Sequence, residues 1–325
     1  MTTLESAAPL RYAIIGTGAL GGFYGARLQQ AGLEVHYLLR SDYEHVRQHG
    51  LIIESPDGNF RLPSVYAHHT PETMPKCDVV VIALKTTQNH VLPKLLPALM
   101  DAQNTVLVLQ NGLQVEDEVA AIVGADCVIG GLCFLCSNKV GPGHIHHLDY
   151  KKITMGVYGA NGQPIGITPR LRHIAADFEQ AGIPIELSDD LVLARWKKLI
   201  WNIPFNGLSV VLNATTDQMM THGDTYHLAE ELMQEVALGA KTQSRHIPPS
   251  FLDDMLEHTA NMKPYRTSMK IDYDERRPLE VETMYGNPLR VAAQGGVALP
   301  KIAMLYHQLR FLDARNRGVA PISPA

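Results

Sequence analysis

The sequence predicts an α/β fold: a doubly wound parallel sheet followed by an all-helical second domain. Three observations predict it. A β-branched run, Tyr12-Ala-Ile-Ile15, ends in closely spaced glycines and continues directly into helix-like sequence. Two further apolar runs, Val79–Leu84 and Thr105–Leu109, are each flanked by helix-like sequence, and such runs suit a parallel sheet covered on both faces. From Asp189 onward the pattern is almost wholly helical. A chain of 325 residues has room for two cores, and the boundary is expected near residue 188, giving domains over 1–188 and 189–325.

The first run carries the motif Gly16-Thr17-Gly18-Ala19-Leu20-Gly21. Gly16 would permit the tight strand-to-helix turn, Gly18 would let backbone N–H groups reach a pyrophosphate, and Gly21 would let the helix lie close to the sheet. The phosphates would rest on the positive end of the helix dipole. The context is the confirming one, because Gly32 stops the helix and a second strand, Glu34–Leu39, follows. The motif therefore marks a Rossmann-type dinucleotide site. An NAD site keeps an acid about 20 residues beyond its glycines to bind the ribose 2′-hydroxyl. Here Glu34 begins the strand, Asp42 lies past its end, and Arg40 with Ser41 stands at the critical place. A guanidinium matches a 2′-phosphate by bidentate hydrogen bonds, which argues for NADP(H). The alternative is a surface arginine after a strand.

Next, Leu51–Leu62 reads as a hairpin turning at Pro56-Asp57-Gly58. Polar clusters follow the two apolar strands: Lys85-Thr-Thr-Gln88 after one, Gln110-Asn111-Gly112 after the other. Ligands of open α/β sheets bind at that carboxyl edge, which assigns Lys85 and Gln88 to the cofactor and Asn111 to the nicotinamide–substrate junction. A solvated loop lysine is the alternative for Lys85. Val128–Ser137, His144–Leu148 and Ile153–Val157 are expected to be antiparallel strands completing the first domain. Pro169–Ala181 is an amphipathic helix stopped by Gly182, Ile183–Leu187 is a last strand, and the tail Asn316–Ala325 is expected to fray.

Cys133-Phe-Leu-Cys136 lacks the second pair that a zinc site requires, so two buried thiols are expected. His144 and His146 share a strand face, with no matching carboxylate or cysteine nearby in sequence, and an exposed strand is expected. A net charge of −5 without a basic stripe makes nucleic acid an unexpected partner. No apolar run approaches the ~18 residues of a membrane span. The start, Met1 to Pro9, reads as a loose leader lacking the features of a signal peptide. The cytoplasm is the default compartment.

The second domain opens on Arg195-Trp-Lys-Lys198-Leu-Ile-Trp-Asn202-Ile-Pro-Phe-Asn206-Gly-Leu-Ser. Lys198, Asn202 and Asn206 are spaced i, i+4 and i+8, one line on a helix face. The residues between them are apolar or proline, whereas a solvated face alternates charges. A lysine and two amides in such surroundings are costly to bury without partners, which points to a catalytic or substrate-binding stripe. Reduction of a carbonyl makes an alkoxide that needs a proton donor. A lysine in an apolar cleft has its pKa lowered toward a usable range. The neighbouring Lys197 points about 100° away and is the surface lysine. Pro204 is expected to kink the helix locally.

These residues resemble the ketopantoate reductase (2-dehydropantoate 2-reductase) family over nearly the whole chain. The landmarks are Gly16 to Gly21, Leu84-Lys85, Leu109-Gln-Asn-Gly112, Trp196-Lys-Lys198 with Asn202 and Asn206, Ser268-Met269, Glu280, Gly286 and Gly295 to Pro300. The resemblance implies an NADPH-dependent reductase of 2-dehydropantoate serving pantothenate biosynthesis. By it Lys198 is the catalytic acid, and Asn111, Asn202, Asn206 and Ser268 bind substrate. Glu280 stands near the nicotinamide ribose and the active site, while Arg40 and Lys85 hold the cofactor. Composition alone leaves Glu282 an equal candidate to Glu280. Two departures bear on substrate identity: Asn206-Gly-Leu-Ser stands where the family usually has Asn-Pro-Leu-Thr, and Tyr265 stands where an asparagine is common. The alternatives are a reductase of another 2-oxo acid and a non-enzymatic NADP(H)-binding sensor. Helical second domains of this kind often support dimers, so a homodimer is an open expectation.

Overall fold

Short, wholly buried strands of Val, Ile, Leu and Thr build the centre of the first unit. In the computed structural model, which describes residues 9–318, the main sheet has eight strands. They are β1 (Tyr12–Ile15), β2 (Val35–Leu38), β5 (Tyr66–His68), β6 (Val79–Ile82), β7 (Thr105–Val108), β8 (Val128–Cys133), β11 (Ile153–Val157) and β12 (Ile185–Ser188). A second sheet contains β3 (Leu51–Glu54), β4 (Phe60–Leu62), β9 (Cys136–Gly141) and β10 (His144–Asp149). The order in the large sheet is β12-β11-β8-β7-β6-β1-β2-β5, parallel except for the pairing of β11 with β8. From β1 the chain winds outward in both directions, so the loop after β1 stands at the topological switch point where such sheets bind ligands.

Alternation divides the strands between two cores. Tyr12, Ile14, Val79 and Val81 pack on the side of α1 (Ala19–Gln30) and α5 (Pro169–Gln180). Ala13, Ile15, Val80 and Ile82 pack with residues of α3 (Leu92–Leu99) and α4 (Val115–Val123). The period of 2 in side-chain direction produces this division directly. Helix α5 has Pro169 in its first turn and a cap in Thr168, whose Oγ1 accepts from Leu171 N–H at 3.2 Å. The Tyr12 hydroxyl donates to Asp177 Oδ2 of α5 at 2.7 Å. Burial, and then the adjacent carboxylate, push the Tyr12 phenol far above its ordinary pKa.

The chain divides into two units: one runs to Gln110 and resumes over Val115–Leu191, the other comprises Asn111–Gln114 and the chain from Val192 onward. The division falls three residues beyond the expected boundary, and it assigns a four-residue excursion after β7 to the second unit. That unit contains α6 (Leu191–Val211), α7 (Thr216–Thr221), α8 (Gly223–Thr242), α9 (Pro249–Asn261), α10 (Ser268–Asp274), α11 (Asn287–Gln294) and α12 (Pro300–Asn316). A π-helical turn, Glu282–Gly286, precedes α11. Its core gathers Trp196, Leu199, Ile200, Ile203 and Phe205 of α6 with Met233, Tyr285 and Leu305. The buried Glu235 accepts from the N–H groups of Lys301 and Ile302, so α8 caps α12. Among the described residues no helix is long and apolar enough to cross a membrane.

Three expectations need correction. Val128–Ser137 is not one antiparallel strand: it breaks at Phe134-Leu135, and β8 runs parallel to β7 in the large sheet while β9 joins the small one. Cys133 and Cys136, both buried thiols, therefore lie in different sheets. Strand β10 is antiparallel to β9 but parallel to β3, and the face of His144 and His146 is half-buried rather than fully exposed. His147 is buried, and His144 does have a carboxylate nearby, Glu54 Oε1 of β3 at 3.1 Å from its Nε2. The tail begins in order, since Asn316 closes α12 and donates to Tyr273 O at 2.5 Å. The leader over 1–8 and the tail over 319–325 lie outside the described residues.

Asp42, buried at the start of α2 (Tyr43–His49), fastens the small sheet. It meets Lys139 Nζ of β9 at 2.5 Å and accepts from Gly143 N–H at 3.1 Å. Burial opposes its ionisation, but these hydrogen bonds and the Lys139 charge outweigh burial and hold the carboxyl below its usual pKa. A depressed folded-state pKa contributes stability that is complete above the unfolded value of about 3.9 and is lost as pH falls through the folded value. Asp42→Asn should therefore lower stability at pH 7 by about 1 kcal/mol. In urea titrations across pH, the gap between wild type and variant should close below about pH 4; a gap that persists at pH 2.5 would contradict this.

Candidate active site

In the first unit, β1 delivers the chain to Gly16 at φ +97°, where a Cβ would stand 2.7 Å from Leu84 N. At Gly21 a Cβ would stand 2.3 Å from Gly16 O and 2.9 Å from Ala83 Cβ, so only glycine lets α1 lie this close to the sheet. Around Gly18 there is open space, with no atom within 4 Å of where a Cβ would stand. The start of α1, at Ala19 and Leu20, has no side-chain cap and no acid in its first turn. Uncapped N–H groups beside open space fit an anionic diphosphate. The Thr17 hydroxyl ties the loop to β2 through Leu38 O at 3.4 Å.

Beyond β2, Arg40 is exposed. Both flanking acids have partners within the protein: Glu34 Oε1 is 2.9 Å from His36 Nε2, and Asp42 is held by Lys139 and Gly143. After β6, Lys85 precedes a 3-10 segment, Thr86–Val91, and Gln88 N–H donates to Lys85 O at 2.8 Å. Gln110, which sequence reasoning passed over, braces this loop by donating to Leu84 O at 2.9 Å and Asn89 Oδ1 at 2.6 Å. Its position in a polar cluster was visible, but nothing in the sequence said that it would turn inward.

In the second unit, α6 carries the polar stripe. Lys198 Nζ donates to Asn111 Oδ1 at 2.8 Å, which brings together two residues 87 positions apart in the chain. Asn202 and Asn206 are 7% and 2% exposed. The Asn206 amide nitrogen reaches Met284 Sδ at 3.6 Å, while its Oδ1 is buried with no hydrogen-bond partner. A buried acceptor left unpaired costs about 1–3 kcal/mol; a ligand hydroxyl would satisfy it. Lys197 instead lies over the Phe251 ring, 5.4 Å from its centre, off the stripe.

Asn111 is held from behind. Gly112, at φ +114°, packs so tightly on Thr283 that a Cβ would stand 2.5 Å from the Thr283 Cβ. Leu113 N–H donates to Thr283 O at 2.9 Å, and the Asn287 amide donates to Leu113 O at 2.7 Å. These contacts fall on the π-helical turn, a backbone irregularity that collects at functional sites. Glu280, just before that turn, is 8% exposed. Glu282 is largely exposed and engaged elsewhere, by the Tyr306 hydroxyl at 2.7 Å and Arg290 at 3.2 Å. Burial thus separates two acids that composition left equal.

Ser268 is the exposed first residue of α10. Two residues that the sequence reading missed fix its backbone. The buried Thr267 caps α10 by accepting from Lys270 N–H, and its hydroxyl lies 2.8 Å from Ser209 Oγ, which donates to Asn206 O. Tyr265 is fixed through both backbone groups to Thr216, and its ring centre lies 6.4 Å from that of Trp201. Gly207 does not open a space: a Cβ there would stand 2.5 Å from Leu305 and 2.8 Å from the Tyr285 hydroxyl. That hydroxyl donates to Ile203 O at 3.0 Å, one residue before Pro204, which lies within α6.

The family model described as ketopantoate reductase PanE/ApbA matches residues 12–160, and its C-terminal counterpart matches residues 190–313. A curated 2-dehydropantoate 2-reductase from Nostoc sp. is 63% identical over 94% of this chain and 96% of its own. A crystal structure of 2-dehydropantoate 2-reductase from Geobacter metallireducens is 41% identical, covers 93% of this chain and 99% of its own, and has a TM-score of 0.89. One from Methylococcus capsulatus is 30% identical, covers 94% and 98%, and has a TM-score of 0.85. By sequence and by fold, the chain belongs to the ketopantoate reductase family of oxidoreductases.

Proposed function

We propose that this protein reduces 2-dehydropantoate to pantoate with NADPH, with Lys198 as the proton donor. The observation that carries the reading is the Lys198 Nζ to Asn111 Oδ1 hydrogen bond, on a stripe whose buried Asn206 Oδ1 is unpaired. The relatives named above as 2-dehydropantoate 2-reductases supply the substrate.

In this reading the residues of the first unit hold the cofactor. Gly16 to Gly21 receive the diphosphate, Arg40 the 2′-phosphate, and Lys85 and Gln88 the span beyond it. Bound NADPH supplies the hydride. Reduction places negative charge on the ketone oxygen, and the Lys198 ammonium holds the proton that neutralises it. Asn111 accepts from the same ammonium and so fixes the direction of its remaining N–H bonds. Asn202, Asn206 and Ser268 bind the substrate's hydroxyl and carboxylate, amides doing so without adding charge. Glu280 contacts the nicotinamide ribose.

One observation favours a second reading, reduction of another 2-oxo acid: at Tyr265 an aromatic ring beside Trp201 stands where the family commonly has an amide. The reading also includes a cytoplasmic location and a homodimer. Met304 and Phe311, seven residues apart on α12, are 56% and 62% exposed and give such a dimer apolar surface to bury.

With purified protein, NADPH absorbance should fall rapidly with 2-dehydropantoate and far more slowly with NADH or with bulkier 2-oxo acids. Faster turnover of a bulkier acid would transfer the reading to that substrate. Tight NADPH binding without turnover of any 2-oxo acid would favour a sensor. Lys198→Ala should lower kcat by ~10²-fold or more, with NADPH affinity retained; unchanged kcat would remove Lys198 from the role of acid. Asn206→Ala should raise the KM for the oxo acid roughly 10-fold through one lost hydrogen bond, with folding stability altered little because the variant also removes an unpaired acceptor.

A further inference from the structure

The corner where β2 and β5 end contains a second candidate for recognising the 2′-phosphate. The two strands run parallel with Leu38 opposite His68, and Leu39 N–H donates to His68 O at 2.9 Å. This pairing places His69, the first residue beyond β5, beside the turn that carries Arg40. Tyr43 links the two: its N–H donates to Arg40 O at 3.4 Å, and its ring centre lies 5.1 Å from that of His69. Both Arg40 and His69 are exposed.

Two acids near Arg40 are engaged. Asp42 is held by Lys139 and Gly143 N–H, and Glu44 is paired with Arg47 at 2.9 Å. Arg47 in turn lies over the Tyr43 ring, 5.7 Å from its centre. What the corner presents outward is a guanidinium, an imidazole and the Ser41 hydroxyl, whose own proton goes to Asp42 Oδ1. A ribose 2′-hydroxyl does not require such a set, whereas a phosphate monoester with several acceptor oxygens matches it.

We propose that His69, oriented by the Tyr43 ring, is a second hydrogen-bond donor to the cofactor's 2′-phosphate and shares with Arg40 the discrimination between NADPH and NADH. The inference rests on the assignment of Arg40 to the same phosphate, and the two are separable by experiment. Dissociation constants for NADPH and NADH should be measured by cofactor fluorescence for wild type, His69→Ala, Tyr43→Leu and Arg40→Ala. His69→Ala should weaken NADPH about 3- to 10-fold, the range of one ordinary net hydrogen bond, with NADH changed less than twofold. Tyr43→Leu should give a smaller loss in the same direction. Unchanged NADPH affinity in His69→Ala beside a loss in Arg40→Ala would overturn the role of His69 while leaving Arg40 its own. Equal weakening of both cofactors would also overturn it, because the histidine would then act only on the loop. A wild type that binds NADH as tightly as NADPH would remove both residues from this role.

Discussion

The close approach of Gly112 to Thr283 is the contact on which the candidate active site depends. A side chain at 112 would collide with Thr283, and the positive φ there is one that an L-residue rarely adopts. Because the contact is so short, Leu113 N–H reaches Thr283 O, and Asn287 can close over Leu113 O. The Asn111 amide oxygen then meets the Lys198 ammonium of α6. The π-helical turn presents Thr283 for this contact at the cost of regular helix geometry. Placement of the proposed acid thus begins with a missing methyl group.

The same region shows how a polar stripe is tolerated in an apolar helix. Leu199, Ile200, Ile203 and Phe205 are almost wholly buried and anchor α6 in its core. Lys198 donates one hydrogen bond to Asn111, and Ser209 with Thr267 satisfies the Asn206 carbonyl and the first turn of α10. The Asn206 side-chain oxygen is the exception. Its unpaired state is a local conflict, and such conflicts gather where a protein recognises something.

The central strands of the large sheet were legible because they are continuous apolar runs, whereas the edge strand Tyr66-Ala-His68 has no such run and was not read. The glycine loop was legible because each glycine answers a steric demand seen at Gly16 and Gly21. The i, i+4, i+8 spacing of Lys198, Asn202 and Asn206 likewise appears as one face of α6. Pairing partners were harder to read. Nothing local marks the break at Phe134-Leu135, since apolar residues continue through it and the change of sheet is decided by distant strands. The engagement of Asp42 by Lys139 and the inward turn of Gln110 are also long-range events. The π-helical turn has no sequence period of its own, and Thr283 gave no sign of its importance.

Gly207 shows how such packing constrains the chain's history. Its missing side chain is already filled by Leu305 and the Tyr285 hydroxyl, and that hydroxyl closes on the Ile203 carbonyl. Residues 207, 285 and 305 are therefore coupled in packing. A larger residue introduced alone at 207 would strike both neighbours, and loss of the Tyr285 ring alone would leave a void around a buried carbonyl. Growth at 207 therefore requires the Leu305 and Tyr285 side chains to shift, so substitutions at these three positions are expected not to add independently.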